Sequence, residues 1–147
     1  MAKIQHTKNV SYVKGNITVE VDFERFDKNA KKAQYWLDSQ IMTDMTPLMP
    51  HRDGIFIDNT RTASAALAGT GQVIAAAPPF GRFLYMGKVM VDPETGSPWA
   101  QKDAQKVVTD RPLTFSNPVA VPMWFDAAKR LHKKEWIKGA EQEFGSE

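Results

Sequence analysis

The chain has 147 residues, with 19 Lys and Arg against 17 Asp and Glu, and no cysteine. The missing cysteines exclude a disulfide framework, thiolate zinc sites and cysteine nucleophiles, and a net charge of +2 is too mild to argue for nucleic acid. One domain is expected, able to bury roughly 70% of its unfolded surface. With no apolar run of signal-peptide length at Met1 to His6, and none near the roughly 20 residues of a membrane span, the chain reads as soluble and assembled in a reducing cytoplasm.

Residues 1–14 are polar, with Lys3, Lys8 and Lys14 spaced along them, and read as a flexible arm or an irregular first strand. Residues 15–147 form the single domain. In Ile17-Thr18-Val19-Glu20-Val21-Asp22-Phe23 the odd positions are apolar and β-prone, the pattern of a strand with one wet face. From Phe26 the period changes: Ala30, Ala33, Leu37, Ile41 and Met45 recur every three or four residues, predicting an amphipathic helix over 26–45. Asp22 suits its N-cap and Thr46-Pro47 ends it. Tyr35 and Trp36 lie partly off the stripe, so one of them either widens the core face or is exposed.

Pro47, Pro50 and the Arg52-Asp53-Gly54 turn lead to Ile55-Phe56-Ile57, read as a short strand. Residues 60–69 are small and hydroxyl-rich and read as a mobile loop. Gly71 to Ala76 reads as another strand, running into a Pro78-Pro79 corner, after which 80–84 suit one helical turn. Lys88-Val89-Met90-Val91 is a further strand, closed by a turn over 92–97. Residues 98–112 are a long connection, Leu113-Thr114-Phe115 a last strand, and 123–144 a second long helix. The order implies an α+β domain: an antiparallel sheet of about four to five strands with two long amphipathic helices packed on it.

Catalytic motifs do not assemble. His6, His51 and His132 share no metal-ligand spacing, and the His51-Arg52-Asp53 tripeptide stands in too short a chain for a kinase. Gly69-Thr70-Gly71 opens into Pro78-Pro79 rather than a helix N-terminus, and Gly87-Lys88 lacks the first glycine of a phosphate loop. Asp53 and Asp58 have no nucleophile or base beside them. No enzyme, cofactor or metal is expected.

Two surfaces remain. The run Lys129-Arg130-Leu131-His132-Lys133-Lys134 is the one dense basic patch; it reads as a solvated helix face with pairs such as Asp126 and Arg130, or alternatively as a DNA-facing set of Lys129, Arg130, Lys133 and Lys134. Phe83, Tyr85, Trp99 and Trp124 sit beside turns and prolines, where core filling and anchoring a protein interface are the alternatives. Phe125 reads as core.

Three blocks carry a family resemblance. The first is the helix from Phe26 with Met45-Thr46-Pro47-Leu48-Met49-Pro50-His51-Arg52-Asp53-Gly54. The second is Pro78-Pro79-Phe80-Gly81-Arg82-Phe83-Leu84-Tyr85-Met86-Gly87-Lys88-Val89. The third is Pro118 and Ala120 with Pro122-Met123-Trp124-Phe125-Asp126-Ala127-Ala128-Lys129. Their order and spacing resemble the minor capsid or head-tail connector (neck, tail-completion) proteins of long-tailed bacteriophages. The resemblance implies a structural virion protein at the head-tail junction, assembled in the bacterial host cytoplasm, that works by subunit contacts in a ring between portal and tail tube. Its implied partners are further copies of itself and other neck, portal-side and tail proteins, with transient proximity to DNA in the channel and no membrane. Phe83, Tyr85 and Trp99 are then the candidate interface residues; a small DNA-contacting accessory protein using the basic helix face is the alternative.

Overall fold

The computed structural model describes residues 9–146. It opens with a hairpin: β1 (Val10–Lys14) pairs antiparallel with β2 (Ile17–Val21) across Gly15-Asn16. Residues directly opposite share a face, so Val10, Tyr12 and Lys14 with Val21, Val19 and Ile17 form one side, and Ser11 and Val13 with Glu20 and Thr18 the other. Every residue of both strands is exposed. Of the two readings of 1–14, arm or first strand, 10–14 take the strand; residues 1–8 lie outside the described residues.

Helix α1 (Glu24–Met45) follows at once. The Asp22 carboxylate accepts the Glu24 amide at 2.8 Å, and Asn9 Oδ1 accepts that of Phe23, the residue at the cap, at 2.9 Å. Thr46–Leu48 form a single 3₁₀ turn with Pro47 in it, where the chain leaves the helix axis. Helix α2 (Ile55–Ala65), short α3 (Gly81–Met86), strands β3 (Lys88–Val91) and β4 (Val107–Pro112), and helix α4 (Trp124–Gly145) complete the order.

The domain is α+β, but the strands do not join. β1 pairs with β2 and β3 with β4, giving two separate two-stranded antiparallel sheets among the described residues instead of one sheet of four to five strands. Three expected strands account for the difference. Ile55-Phe56-Ile57 begins α2: the Asp53 carboxylate accepts the Ile55 amide at 3.1 Å, and Ile57, Thr60 and Ser64, spaced as on one helix face, are buried. Residues 60–65, expected as loop, belong to the same helix. Gly71 to Ala76 forms no ladder, because side chains take its backbone groups. Ser64 Oγ accepts the Ile74 amide, Thr60 Oγ1 that of Ala77, and the Trp124 indole donates to the Ala75 carbonyl. The last strand lies earlier than Leu113–Phe115, at Val107–Pro112.

With no broad sheet beneath them, the two long helices pack on each other, antiparallel. Phe26 meets Phe144 edge-on with ring centroids 5.1 Å apart, Lys32 lies 3.5 Å from Glu143, and the Trp136 indole donates to Asp44 at 2.7 Å. Closest approach falls at Gly139, where a Cβ would overlap the Trp36 ring. Trp36 is therefore the residue that widens the core face, while Tyr35 is exposed. The core gathers Met42, Met45, Met49, Ile57, Trp124, Ala128 and Trp136, at the end of the helix pair covered by α2 and α3. Asp38 is buried at its margin; one carboxylate oxygen accepts the amides of Gly69 and Gly71 at 2.8 and 3.0 Å and the other the Gln34 amide group at 2.7 Å. This carboxylate fastens the chain beyond α2 to α1.

Candidate protein-interaction site

Segments distant in sequence meet at Trp124, the first residue of α4, which has no exposed surface. Its ring is approached edge-on by Tyr85 from α3, centroids 4.8 Å apart, and by Phe56 from α2 at 5.9 Å. Its indole N–H reaches the Ala75 carbonyl at 2.7 Å, so a large buried ring has its one polar atom satisfied. Backbone bonds tie the same segments: the Val121 amide donates to the Leu48 carbonyl at 3.1 Å, and the Met123 amide to the Tyr85 carbonyl at 2.8 Å. The Asn117 side-chain amide donates to the carbonyls of Pro47 and Met49. Gly87 closes α3 at φ 63°, and a Cβ there would stand 2.6 Å from Cβ of Pro122; only glycine meets both conditions.

Beside this hub lies a cleft of about 490 Å³. Phe80, Phe83 and Leu84 from the α3 segment form one wall; Pro50 to Gly54 and Phe56 form another; Thr114, Phe115 and Ser116, just beyond β4, close the third side. Phe80 and Phe83 meet edge-on at 6.0 Å, and the Ser116 hydroxyl donates to the His51 carbonyl at 2.9 Å, fixing the β4 exit against the turn. His51, Arg52 and Asp53 are exposed at the border, so the cleft offers aromatic surface inside and both charge signs outside. That chemistry suits an apolar or aromatic group from a partner.

The sequence-expected residues fall in different surroundings. Phe83 is half-buried in the cleft wall. Tyr85 faces the hub, where its hydroxyl donates to Asp126 Oδ2 at 3.0 Å. Burial, then the hydrogen bond and negative charge of Asp126, push its phenol up from 10.0 to about 12. Trp99 is 88% exposed in the connection between β3 and β4. Lys129, Arg130, Lys133 and Lys134 are all exposed on α4. The expected Asp126–Arg130 pair does not form; Asp126 Oδ2 accepts the Tyr85 hydroxyl.

Other surfaces were not singled out by the sequence. The cleft residues Phe56 and Phe115 stood in supposed strands, although an Asp-Gly turn ahead of Ile57, Thr60 and Ser64 is a readable helix start. The apolar hairpin face of Val10, Tyr12, Ile17, Val19 and Val21 was divided between a supposed arm and a supposed sheet strand. Its alternation was legible, but nothing in it said that the apolar side has no cover. Among the described residues no group of three or more His, Asp or Glu is arranged for a metal ion, and no helix is long and apolar enough to cross a membrane. Comparisons with models of protein families, with curated proteins and with solved structures find no match.

Proposed function

We propose that this chain is a structural virion protein of the head-tail junction of a long-tailed bacteriophage, a minor capsid, neck or tail-completion subunit acting through protein contacts in a ring. One observation carries the reading: the three blocks on which the family resemblance rests, the helix from Phe26 with Met45 to Gly54, Pro78 to Val89 and Pro118 to Lys129, pack together, with Met45 and Met49 in one core cluster with Trp124, the Val121 amide on the Leu48 carbonyl, Tyr85 on Trp124 and Gly87 against Pro122. Residue types that look arbitrary in sequence, such as the glycine after Met86 and the proline before Met123, answer to each other in space. A second feature agrees with a protein whose work is contact. Large apolar side chains stand in water on the hairpin and at Trp99, and a lone two-stranded hairpin is marginal until something packs on it.

The reading includes partners of two kinds, further copies of this chain and the portal-side and tail proteins on either side of the ring. It is tested on particles. An antibody to this chain, gold-labelled, is expected to mark the single head-tail joint of purified virions; label absent from intact particles, or spread over the capsid, overturns it.

A second reading has its own observation. Lys129, Arg130, Lys133 and Lys134 lie exposed on α4, and among the described residues none forms an ion pair with a carboxylate. They would serve a small DNA-contacting accessory protein, or brush DNA within the channel. Duplex binding that weakens steeply with salt, and is lost on replacing Lys133 and Lys134 by glutamine, favours that reading.

A further inference from the structure

The outward face of α4 carries charge of one sign. Trp136 and Gly139 turn toward α1, and Ala128 is buried with them. At about 3.6 residues to the turn, Lys129, Arg130, Lys133, Lys134 and Lys138 then fan across the opposite, solvent side, and all five are exposed. Between Ala127 and Ala140 the one carboxylate is Glu135, at the flank of this face. The net charge of the whole chain, +2, hides the concentration because the balancing acids lie elsewhere. We propose, building on the second reading above, that this face binds the phosphate backbone of duplex DNA without reading its sequence, and that Lys138 belongs to the contact.

The five cations are unanswered within the chain. Among the described residues none of their side chains makes an ion pair or hydrogen bond. Nearby carboxylates have other partners: Asp126 accepts the Tyr85 hydroxyl at 3.0 Å, Glu143 lies 3.5 Å from Lys32, and Asp44 on the facing helix accepts the Trp136 indole at 2.7 Å. Lys129 with Lys133, Arg130 with Lys134, and Lys134 with Lys138 stand four apart, where like charges repel and weaken a helix. A polyanion laid on the face relieves that repulsion. A face of one sign thus selects its partner by charge, which the mixed rim of the aromatic cleft does not.

What surrounds the cations favours a duplex over other polyanions. Single-strand grooves interleave cations with rings on which bases stack. Here Trp136 is 5% exposed, and Phe125 and His132 are stacked against it with centroids 6.4 Å away, so no ring is presented to a base. A helix that lies in a membrane surface turns an apolar stripe to the lipid. That stripe of α4 is already covered, since Ala128 and Trp136 pack with Met42 and Met45. The exposed Leu131 and Ile137 stand about a third of a turn apart around the axis and form no stripe. Four of the five cations are lysines, which meet phosphate as point charges, and no Asn or Gln lies among them to read base edges. From Lys129 to Lys138 the face runs about 14 Å along the helix. Duplex DNA presents one charge per about 1.7 Å of its axis, so roughly eight phosphates fall within that length, enough to meet all five cations.

The test is fluorescence anisotropy of the full chain with labelled DNA: two duplexes of unrelated sequence, and one of their strands alone, over about 50 to about 200 mM salt. The two duplexes are expected to bind within about twofold of each other, and the single strand at least about 10-fold more weakly. For the wild-type chain, log K against log salt should fall with a slope near −4; Lys138→Gln should reduce its magnitude by about 1, and Lys133→Gln with Lys134→Gln by about 2. Lys102→Gln, at an exposed lysine off this face, should leave affinity and slope unchanged. All these substitutions are at exposed side chains, and coincident unfolding curves tie any loss to the contact. An equal or tighter single-strand complex, or one duplex preferred by more than about 10-fold, overturns the backbone mode while the DNA-contacting reading stands. A loss with Lys102→Gln as large as with Lys138→Gln overturns the assignment to α4. Absence of binding to any DNA at about 50 mM salt overturns both the proposal and that reading, and so does binding only to phosphatidylserine vesicles.

Discussion

Among the large apolar side chains of the described residues, Trp124 and Trp99 stand at opposite ends of exposure, 0% and 88%, and their surroundings differ accordingly. Around Trp124 every group is answered within the molecule: two rings meet the indole, its N–H has a carbonyl, and neighbouring backbone groups cross between segments. Around Trp99 the backbone is held on its N-terminal side, by Asp92, Ser97 and Lys106, while the ring itself stands in water. The hairpin face of Tyr12, Ile17 and Val19 resembles the second region. Aromatic content alone therefore does not separate core from contact surface. What separates them is whether side chain and backbone are both answered, or the backbone only.

The contrast breaks most sharply at Trp124. Trp124→Ala empties the hub and strands the Ala75 carbonyl, and a loss of about 3–5 kcal/mol is expected in urea unfolding. A value near zero would mean that the hub does not hold the fold. Gly87→Ala comes next: the added Cβ meets Pro122 in a backbone conformation unfavourable to alanine, and about 2 kcal/mol should be lost, read from the same unfolding curves.

Tyr85→Phe is milder, at about 1 kcal/mol, because the ring contact with Trp124 survives and only the bond to Asp126 goes. It also carries a pH signature. In the folded chain the phenol is pushed up from 10.0 to about 12, so between these the unfolded chain has released its proton and the folded chain retains it. This contribution to stability is complete below pH 10 and declines as pH rises toward 12. Tyr85→Phe should flatten that part of the stability profile, and an unchanged slope would show that neither burial nor Asp126 shifts the phenol. Smallest of all, Trp99→Ala should change monomer stability by less than about 0.5 kcal/mol, a difference visible only as coincident unfolding curves.

How much of this was legible in the sequence varies with the kind of force involved. Both long helices, β2, β3 and the turn after β3 follow from periodicity and punctuation, which are local. Ile55-Phe56-Ile57 was misread because three β-prone residues outweighed a helix face completed by Thr60 and Ser64, polar residues whose burial is answered by the Phe56 carbonyl in the same helix and by the amides of Ala77 and Ile74 beyond it. Gly71 to Ala76 failed for a related reason: its hydrogen-bond partners are side chains of Asp38, Ser64 and Trp124, and no window of sequence contains them all. At the candidate site, Phe83 and Trp99 were visible as aromatics out of register with a core stripe. Tyr85 was visible on the same ground, and only the Asp126 and Trp124 contacts, about forty positions away in the chain, distinguish it from them.

Trp124 is buried at the centre of the fold, and on the proposed function the exposed Trp99 serves contact with a partner. The most direct measurement of this division compares wild type with Trp99→Ala twice: by unfolding at a dilution where both are monomers, and by mass at high concentration. The account predicts superimposable unfolding and a lower mass for the variant. Equal masses, or a variant that unfolds at markedly lower urea, would contradict it.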